Sequence, residues 1–399
     1  MMIFTQVKII SGTSHSSVSI TENNVMTVIE KGVIKTANNY TTAVSFKGER
    51  SKLKLGDVRI ESGATALATV KKHNIITMEK GSIKSGNQAA VEAHGQNSII
   101  ELGNVQIEAT AAALQTGHNA TITMEKGSIK AQGYAVQANG QNSMIKLGDI
   151  QIESEDGGIS AHYKSIVTME KGSIKGVRGI DLENGSIVKI NNVQIEAKQQ
   201  GAFVTNGSTL IMNKSFIKAK EDGIGIYLES LTGKNNDSRI GIAEKRTEIK
   251  LTDVVIEAGK AGISTQTYAS QVNFNLKNSE IHSNVLIKNN VNSRFNFTLN
   301  ADHSILEGGA LVNPTDYMRV IFNLSNGTVW TPKISKEEKK AVSNGNLGGL
   351  LDISTRSRSA VSVLNLDNST IVFDKPTNDQ YQELHVGHAI PNAASRPAS

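Results

Sequence analysis

The chain of 399 residues contains no cysteine, which rules out disulfides, thiol catalysis and thiolate metal sites together. Aromatic residues are scarce, at 4 %. No apolar run is long enough to cross a membrane as a helix. No leader is visible either, because Met1-Met2-Ile3-Phe4-Thr5-Gln6 passes directly into a strand pattern. The expectation is a cytosolic protein or a mature fragment. Charge of one sign is not gathered anywhere in the repeats. The net charge is +5, but much of it is dispersed with alternating sign, so a nucleic-acid partner is not implied.

What is present is repetition. Met78-Glu79-Lys80-Gly81-Ser82-Ile83-Lys84 recurs verbatim at Met124–Lys130 and Met169–Lys175, and more loosely at Ile29–Lys35 and Met212–Lys218. A second phrase alternates with it: Leu55–Glu61, Leu102–Glu108, Leu147–Glu153, Ile190–Glu196 and Leu251–Glu257. Aligned on their last isoleucine, the two phrases give Ile9, Ile34, Ile60, Ile83, Ile107, Ile129, Ile152, Ile174, Ile195, Ile217, Ile256 and Ile281, extended by Ile305, Val329 and Ile371. Most intervals are 21 to 26 residues, and a fixed period of that size means a solenoid.

The content separates the possible solenoids. The leucine-rich consensus is missing, and no helical apolar stripe runs through the repeats. Short β-branched segments alternate with period two and are punctuated by Gly, Asn, Ser and His. Each repeat holds three such pieces, for example Ala90–Ala93, Ser98–Leu102 and Val105–Glu108. The predicted fold is all-β: a right-handed, single-stranded parallel β-helix of roughly 15 coils with three strands per coil.

Two columns lie seven and five residues before the marker isoleucine. The first runs Leu53, Ile76, Ile100, Ile122, Ile145, Val167 and onward to Phe274; the second runs Leu55, Met78, Leu102, Met124, Leu147, Met169 and onward to Leu276. Spacing by two sends both to one strand face, the interior, and the marker joins them there. Such an interior is narrow and needs few rings.

One residue after the marker the chain reads Lys35, Glu61, Lys84, Glu108, Lys130, Glu153, Lys175, Glu196, Lys218, Glu257. Neighbouring coils are about 4.8 Å apart. Like charges at that spacing repel and alternating ones attract, so the true repeat is a pair of coils and a one-coil slip is penalised. This charge ladder is read as structural. Three residues before the marker, Lys31, Asp57, Lys80, Asn104, Lys126, Asp149 and Lys171 repeat the pattern.

The organisation reads as a β-helix body over residues 1–310 with an insertion at 228–248, capping coils over 311–387 with a mobile basic loop at 332–358, and a tail at 388–399. Phe274, Phe297 and Phe322 would close the core of the last coils with larger rings.

Tests for chemistry come out negative. Glycoside hydrolysis wants two carboxyl groups about 5–9.5 Å apart. The acidic turns Glu155/Asp156 and Glu221/Asp222 belong to coils three apart, roughly 14 Å by stacking alone, and are read as solvated. The histidines, including His73, His118, His385 and His388, show no metal-ligand spacing. No Gly-x-Ser-x-Gly turn appears. Arg178-Gly179-Ile180-Asp181 is not an integrin-type Arg-Gly-Asp, and Gly179 is assigned to a turn. The expectation is a protein without catalytic residues, cofactor or metal.

The end of the chain is distinctive: Phe322-Asn-Leu-Ser-Asn-Gly-Thr-Val-Trp330, then Val363-Leu-Asn-Leu-Asp-Asn-Ser-Thr-Ile-Val-Phe373 and Tyr381-Gln-Glu-Leu-His-Val386. It resembles the final coils of autotransporter (type V secretion) passengers, in which a Gly-x-x-Trp turn, a Leu-x-Leu-x-Asn-Ser coil and a Tyr-x-x-Leu strand precede the membrane barrel. The Met-Glu-Lys-Gly-Ser-Ile-Lys phrase is similar to Bartonella passengers of the angiogenic-factor type. The resemblance implies a secreted or surface-displayed ligand of an endothelial receptor of the vascular endothelial growth factor type. It carries no contact residues over. The insertion at 228–248 is the preferred contact, with Lys234, Arg239, Lys245 and Arg246 as steering charges. An adhesin that triggers no signal is the alternative, and a polysaccharide lyase or hydrolase a more distant one.

Overall fold

An isoleucine placed over an isoleucine one coil away is the element from which this structure is built. In the computed structural model described here, residues 1–12, 16–36, 39–205, 207–229, 246–266, 270–289, 295–312, 318–335, 356–375 and 381–387 are described. They are arranged in all-parallel strand pairings as a right-handed parallel β-helix. Two compact units divide it: residues 1–197 with 208–211, and residues 198–207 with 212–399.

In the first unit, Ile60, Ile83, Ile107, Ile129, Ile152 and Ile174 stand in unbroken register, all at most 3 % exposed. The two other predicted columns stack beside them, Leu53-Ile76-Ile100-Ile122-Ile145-Val167 and Leu55-Met78-Leu102-Met124-Leu147-Met169. Burial of each such side chain contributes about 1.5–3 kcal/mol, so these columns dominate the stability of the unit. The third wall of each coil is short, as in Val44–Phe46, Leu67–Thr69, Val91–Ala93 and Leu114–Thr116.

The second and third predicted pieces are one strand here, not two. Ile75–Ser85 and Ile99–Ala109 run continuously through the corner between the inward columns. In alternate coils a glycine serves this corner, whereas Val58, Val105 and Ile150 stand at the same position in the coils between. Gly81, Gly127 and Gly172 take φ of +126° to +129°, a conformation closed to most L side chains. The corner before each third wall's successor strand is different: Asn97, Asn119 and Asn142 are left-handed, with φ between 55° and 59°.

Behind most of these left-handed residues lies a buried polar column, Ser51, Asn74, Ser98, Ser143, Ser165 and Ser186, interrupted by Ala120 behind Asn119 and with the Ser143 hydroxyl unpartnered. It hydrogen-bonds from coil to coil, for instance Ser51 N to Asn74 Oδ1 at 2.9 Å and Asn74 N to Ser98 Oγ at 3.2 Å. Backbone donors freed by the turn are thereby satisfied inside the protein.

The corner changes at Asn192, late in the first unit, where a left-handed residue breaks the strand, and the second unit keeps this corner with the parallel stacking. Lys214, Asp253, Asn278, His303, Asn326 and Asn368 take left-handed φ of 45° to 55°, and the strand breaks there. A serine or threonine usually follows, again bonding upward: Ser279 N donates to Ser304 Oγ at 3.2 Å and Ser304 N to Thr328 Oγ1 at 3.1 Å. Phe274, Phe297 and Phe322 are fully buried. They do not share one column, because Phe274 and Phe322 flank Leu299 whereas Phe297 lies between Val272 and Val320.

Three sequence assignments are corrected. The marker column of the second unit runs Ile256, Ile281, Leu306, Trp330 and Ile371, so Ile305 and Val329 are each one residue early. Ile305 is 41 % exposed, whereas Trp330 is buried and donates its indole N–H to Gly308 O at 3.0 Å. Gly179 lies inside the strand Ile166–Leu182, not in a turn, because its coil carries the third wall without a break. The basic loop at 332–358 is anchored at both ends: Lys333 pairs with Glu307 at 2.6 Å, and Arg358 begins the strand Arg358–Val361 and pairs with Glu383 at 3.2 Å. Lys336, Lys339, Lys340 and the tail 388–399 lie outside the described residues.

Gly158 shows how little room the interior leaves. A Cβ there would collide with Ile174 Cγ2 and come within 2.7 Å of Gly179 O. Gly158→Ala is therefore expected to destabilise the protein by about 1–3 kcal/mol, since neither the stacked isoleucine nor the backbone can yield. Chemical denaturation measures this; an unchanged midpoint would mean that the coil is looser than described.

Candidate functional site

The outward ladder is set by the same register that builds the core. Lys84 stands opposite Glu61 in one neighbouring coil and Glu108 in the other, and Glu108, Lys130, Glu153 and Lys175 continue the series. Ion pairs join Lys35 to Glu61 at 2.9 Å, Lys84 to Glu108 at 2.9 Å and Lys175 to Glu196 at 3.5 Å. The column three residues before the marker adds Lys80–Asp57 at 3.4 Å and Lys171–Asp149 at 3.1 Å. In the second unit Lys218 faces Glu257 in register.

Most of these side chains are about half exposed, so each pair contributes at most about 1 kcal/mol. Glu61 is the most enclosed. The Lys35 ammonium lowers its pKa against the opposing effect of burial, with help from Arg59.

The ladder forms one wall of a shallow groove of about 510 Å³. Lys35, Glu61, Lys84, Glu108 and Lys130 line one side, and small turn residues such as Gly63, Gly86 and Thr110 line the other.

Of the four steering charges, Arg246 is exposed and opens the strand Arg246–Thr252, opposite Gln271. Lys234, Arg239 and Lys245 lie outside the described residues. The insertion is shorter than 228–248: Leu228 is buried, with Leu228 and Glu229 in the strand Ile224–Glu229, which leaves 230–245. The acidic turns Glu155/Asp156 and Glu221/Asp222 are exposed.

A cluster that spacing along the chain does not reveal lies on the third wall of the first unit. Tyr134, Gly157 and Arg178 occupy one position in successive coils. Gly157 is required there, because a Cβ would strike the Tyr134 ring that lies across it. The ring thereby reaches past its neighbouring coil to Asp181, donating its hydroxyl to Oδ2 at 2.8 Å, and Arg178 Nη1 reaches the same oxygen at 3.0 Å. Burial raises the Asp181 pKa against the pull of these two donors, and the Tyr134 hydroxyl is pushed up by burial and by the adjacent carboxylate. His162, on the neighbouring strand, contacts Glu183 through Nδ1 at 3.2 Å, which raises its pKa. The signal in the sequence is a column signal: Asp181 follows three neutral residues, Gln115, Gln137 and Ser160, which themselves follow Glu92.

In the second unit His282 bridges two carboxylates, Glu280 at 2.7 Å and Glu307 at 3.2 Å, and Lys333 completes the group on Glu307. Burial disfavours the imidazolium, but the two carboxylates outweigh it and raise its pKa.

With this geometry established, residues 89–237 match the family model described as "Right handed beta helix region". No curated protein and no solved structure matches the chain.

Two outcomes follow. Lys84→Glu places three carboxylates in succession and should cost about 1 kcal/mol more than Lys84→Gln at low salt, with the gap closing as salt is added. Equal losses in both variants would show that the ladder is inert. For His282, the folded state holds the proton more tightly than the unfolded chain. Its contribution is therefore complete below the unfolded pKa of about 6.5 and is lost as pH rises through the raised folded value. The stability gap between wild type and His282→Asn should shrink as pH rises above about 6.5 in denaturant titrations, and a gap that widens would reverse the sign of the account.

Proposed function

We propose that this chain is a secreted or surface-displayed β-helical passenger, of the autotransporter kind, that acts by binding a host protein and not by catalysis. The observation that carries the reading is the broad outer wall of the first unit, where paired Lys and Glu side chains form a regular, nearly neutral surface on a stiff stack of coils. Such a surface suits contact with another folded protein, for which shape and charge complementarity set specificity. The end of the chain supports the passenger reading. Trp330 of the Gly327-x-x-Trp330 phrase packs edge-on against Phe322 with ring centroids 5.1 Å apart, and the Leu364-x-Leu366 coil stacks above it in register.

The finer reading is a growth-factor-mimicking ligand that engages an endothelial receptor tyrosine kinase ectodomain and drives proliferation. It rests on the resemblance of the repeated Met-Glu-Lys-Gly-Ser-Ile-Lys phrase. The insertion at 230–245 and Arg246 supply the steering charges in this reading. Adhesion without signalling is the rival, and the groove beside the ladder would serve it equally well.

Replacing Lys234, Arg239, Lys245 and Arg246 together with alanine should lower receptor phosphorylation in endothelial cells at least tenfold at fixed dose, with the β-rich circular dichroism unchanged. Full activity in that variant would remove the insertion from the interface. Binding of wild-type protein to cells with no receptor phosphorylation at all would favour the adhesin.

A further inference from the structure

Asp181 is 3 % exposed, and its two carboxylate oxygens are treated unequally. Oδ2 receives the Tyr134 hydroxyl and the Arg178 guanidinium, whereas Oδ1 is shielded from solvent and has no hydrogen-bond partner. A bare, buried carboxylate oxygen is costly unless something positive meets it. Glu183 lies two residues further along, hence on the same face of the chain, and His162 comes from the neighbouring coil. One ligating atom from each of the three lies within 4.8 Å of the other two. His162 Nδ1 and Glu183 Oε2 are 3.2 Å apart. That is close to the separation of about 3.4 Å between two ligands on a tetrahedral ion with bonds of about 2.1 Å.

We propose that His162, Asp181 and Glu183 form a binding site for a first-row divalent cation of the zinc class. The donor set selects the class. An imidazole nitrogen beside carboxylate oxygens suits zinc, cobalt or manganese, whereas calcium and magnesium favour oxygen-only cages. The electrostatics agree: two carboxylates against the one Arg178 guanidinium leave a net negative site once His162 is neutral. Tyr134 and Arg178 are positioning residues, since by occupying Oδ2 they leave Oδ1 as the donor. Gly157 contributes by allowing the Tyr134 ring to cross its coil. The ion would clip the coil bearing Gly157–His162 to the coil bearing Asp181 and Glu183, and its remaining coordination position would be open to water or to a partner's side chain. His162 joins Asp181 and Glu183 from a separate coil, which is why histidine spacing along the chain gives no sign of the site.

The test uses the full chain stripped of metal with a chelator. Co²⁺ is titrated while the visible d–d absorption is followed, and Zn²⁺ is titrated by calorimetry. The expected result is one equivalent of each ion, retained in excess Ca²⁺, with affinity lowered at least tenfold in Asp181→Asn and in His162→Gln but unaffected in His385→Gln. Zn²⁺ should raise the thermal midpoint of the wild type and not of the two site variants. Should Asp181→Asn fail to fold, Glu183→Gln, at a partly exposed position, carries the same expectation in a folded protein judged by circular dichroism. No stoichiometric Co²⁺ spectrum, or Zn²⁺ binding that survives His162→Gln and Glu183→Gln, overturns the proposal.

Discussion

A rise of about 4.8 Å per coil means that the closest lateral neighbour of every side chain is the residue at the same position one coil away. Inside, that constraint rewards identity, because isoleucine fits on isoleucine and methionine alternates with leucine without leaving a void. Outside, it forbids identity for charged residues. The two effects differ in size: each buried aliphatic residue contributes about 1.5–3 kcal/mol, each exposed ion pair at most about 1 kcal/mol. The core therefore supplies the stability. The marker column cannot choose the pairing, since a slip by one coil still leaves Ile83 over an isoleucine. The same slip would put Lys84 over Lys35 or Lys130. The weak, exposed interaction helps to distinguish the correct register from its neighbour, beside the buried corner column in which Gly81 and Gly127 alternate with Val58, Val105 and Ile150.

Corners explain which parts of this arrangement were legible in the sequence. In the first unit, Ile60 to Ile174 fall in place because both phrases keep a constant distance between the turn and the inward residue. In the second unit the fixed reference is the left-handed corner residue, and the inward position comes three residues after it: Asp253 to Ile256, Asn278 to Ile281, His303 to Leu306. Choosing the isoleucine of Ser304-Ile305-Leu306 by residue type instead of by turn put the column one residue early. At Asn326-Gly327 both residues have positive φ, the corner is one residue longer, and Trp330 takes the place that the shorter count gives to Val329. Asparagine at these corners is visible in a sequence; the serine buried beneath it reads as a loop residue until its hydrogen bonds are seen.

The functional surface divides in the same way. The Lys/Glu ladder is written along the chain and could be read directly. The cluster around Asp181 is only partly local: Arg178, Asp181 and Glu183 are close in sequence, but Tyr134 and His162 come from the two preceding coils, so local spacing does not reveal the whole. Its trace is a break in column chemistry, a tyrosine and an arginine on either side of a glycine. In a solenoid, departures from the column are the places to look for something other than stacking.

The most direct measurement is a methyl NOE spectrum of protein labelled at isoleucine. If the coils stack as described, Ile83 shows contacts to both Ile60 and Ile107, and Ile107 to Ile129, although these residues lie more than twenty positions apart. Absence of those contacts, or contacts that skip a coil, would contradict the register on which both the ladder and the Asp181 cluster depend.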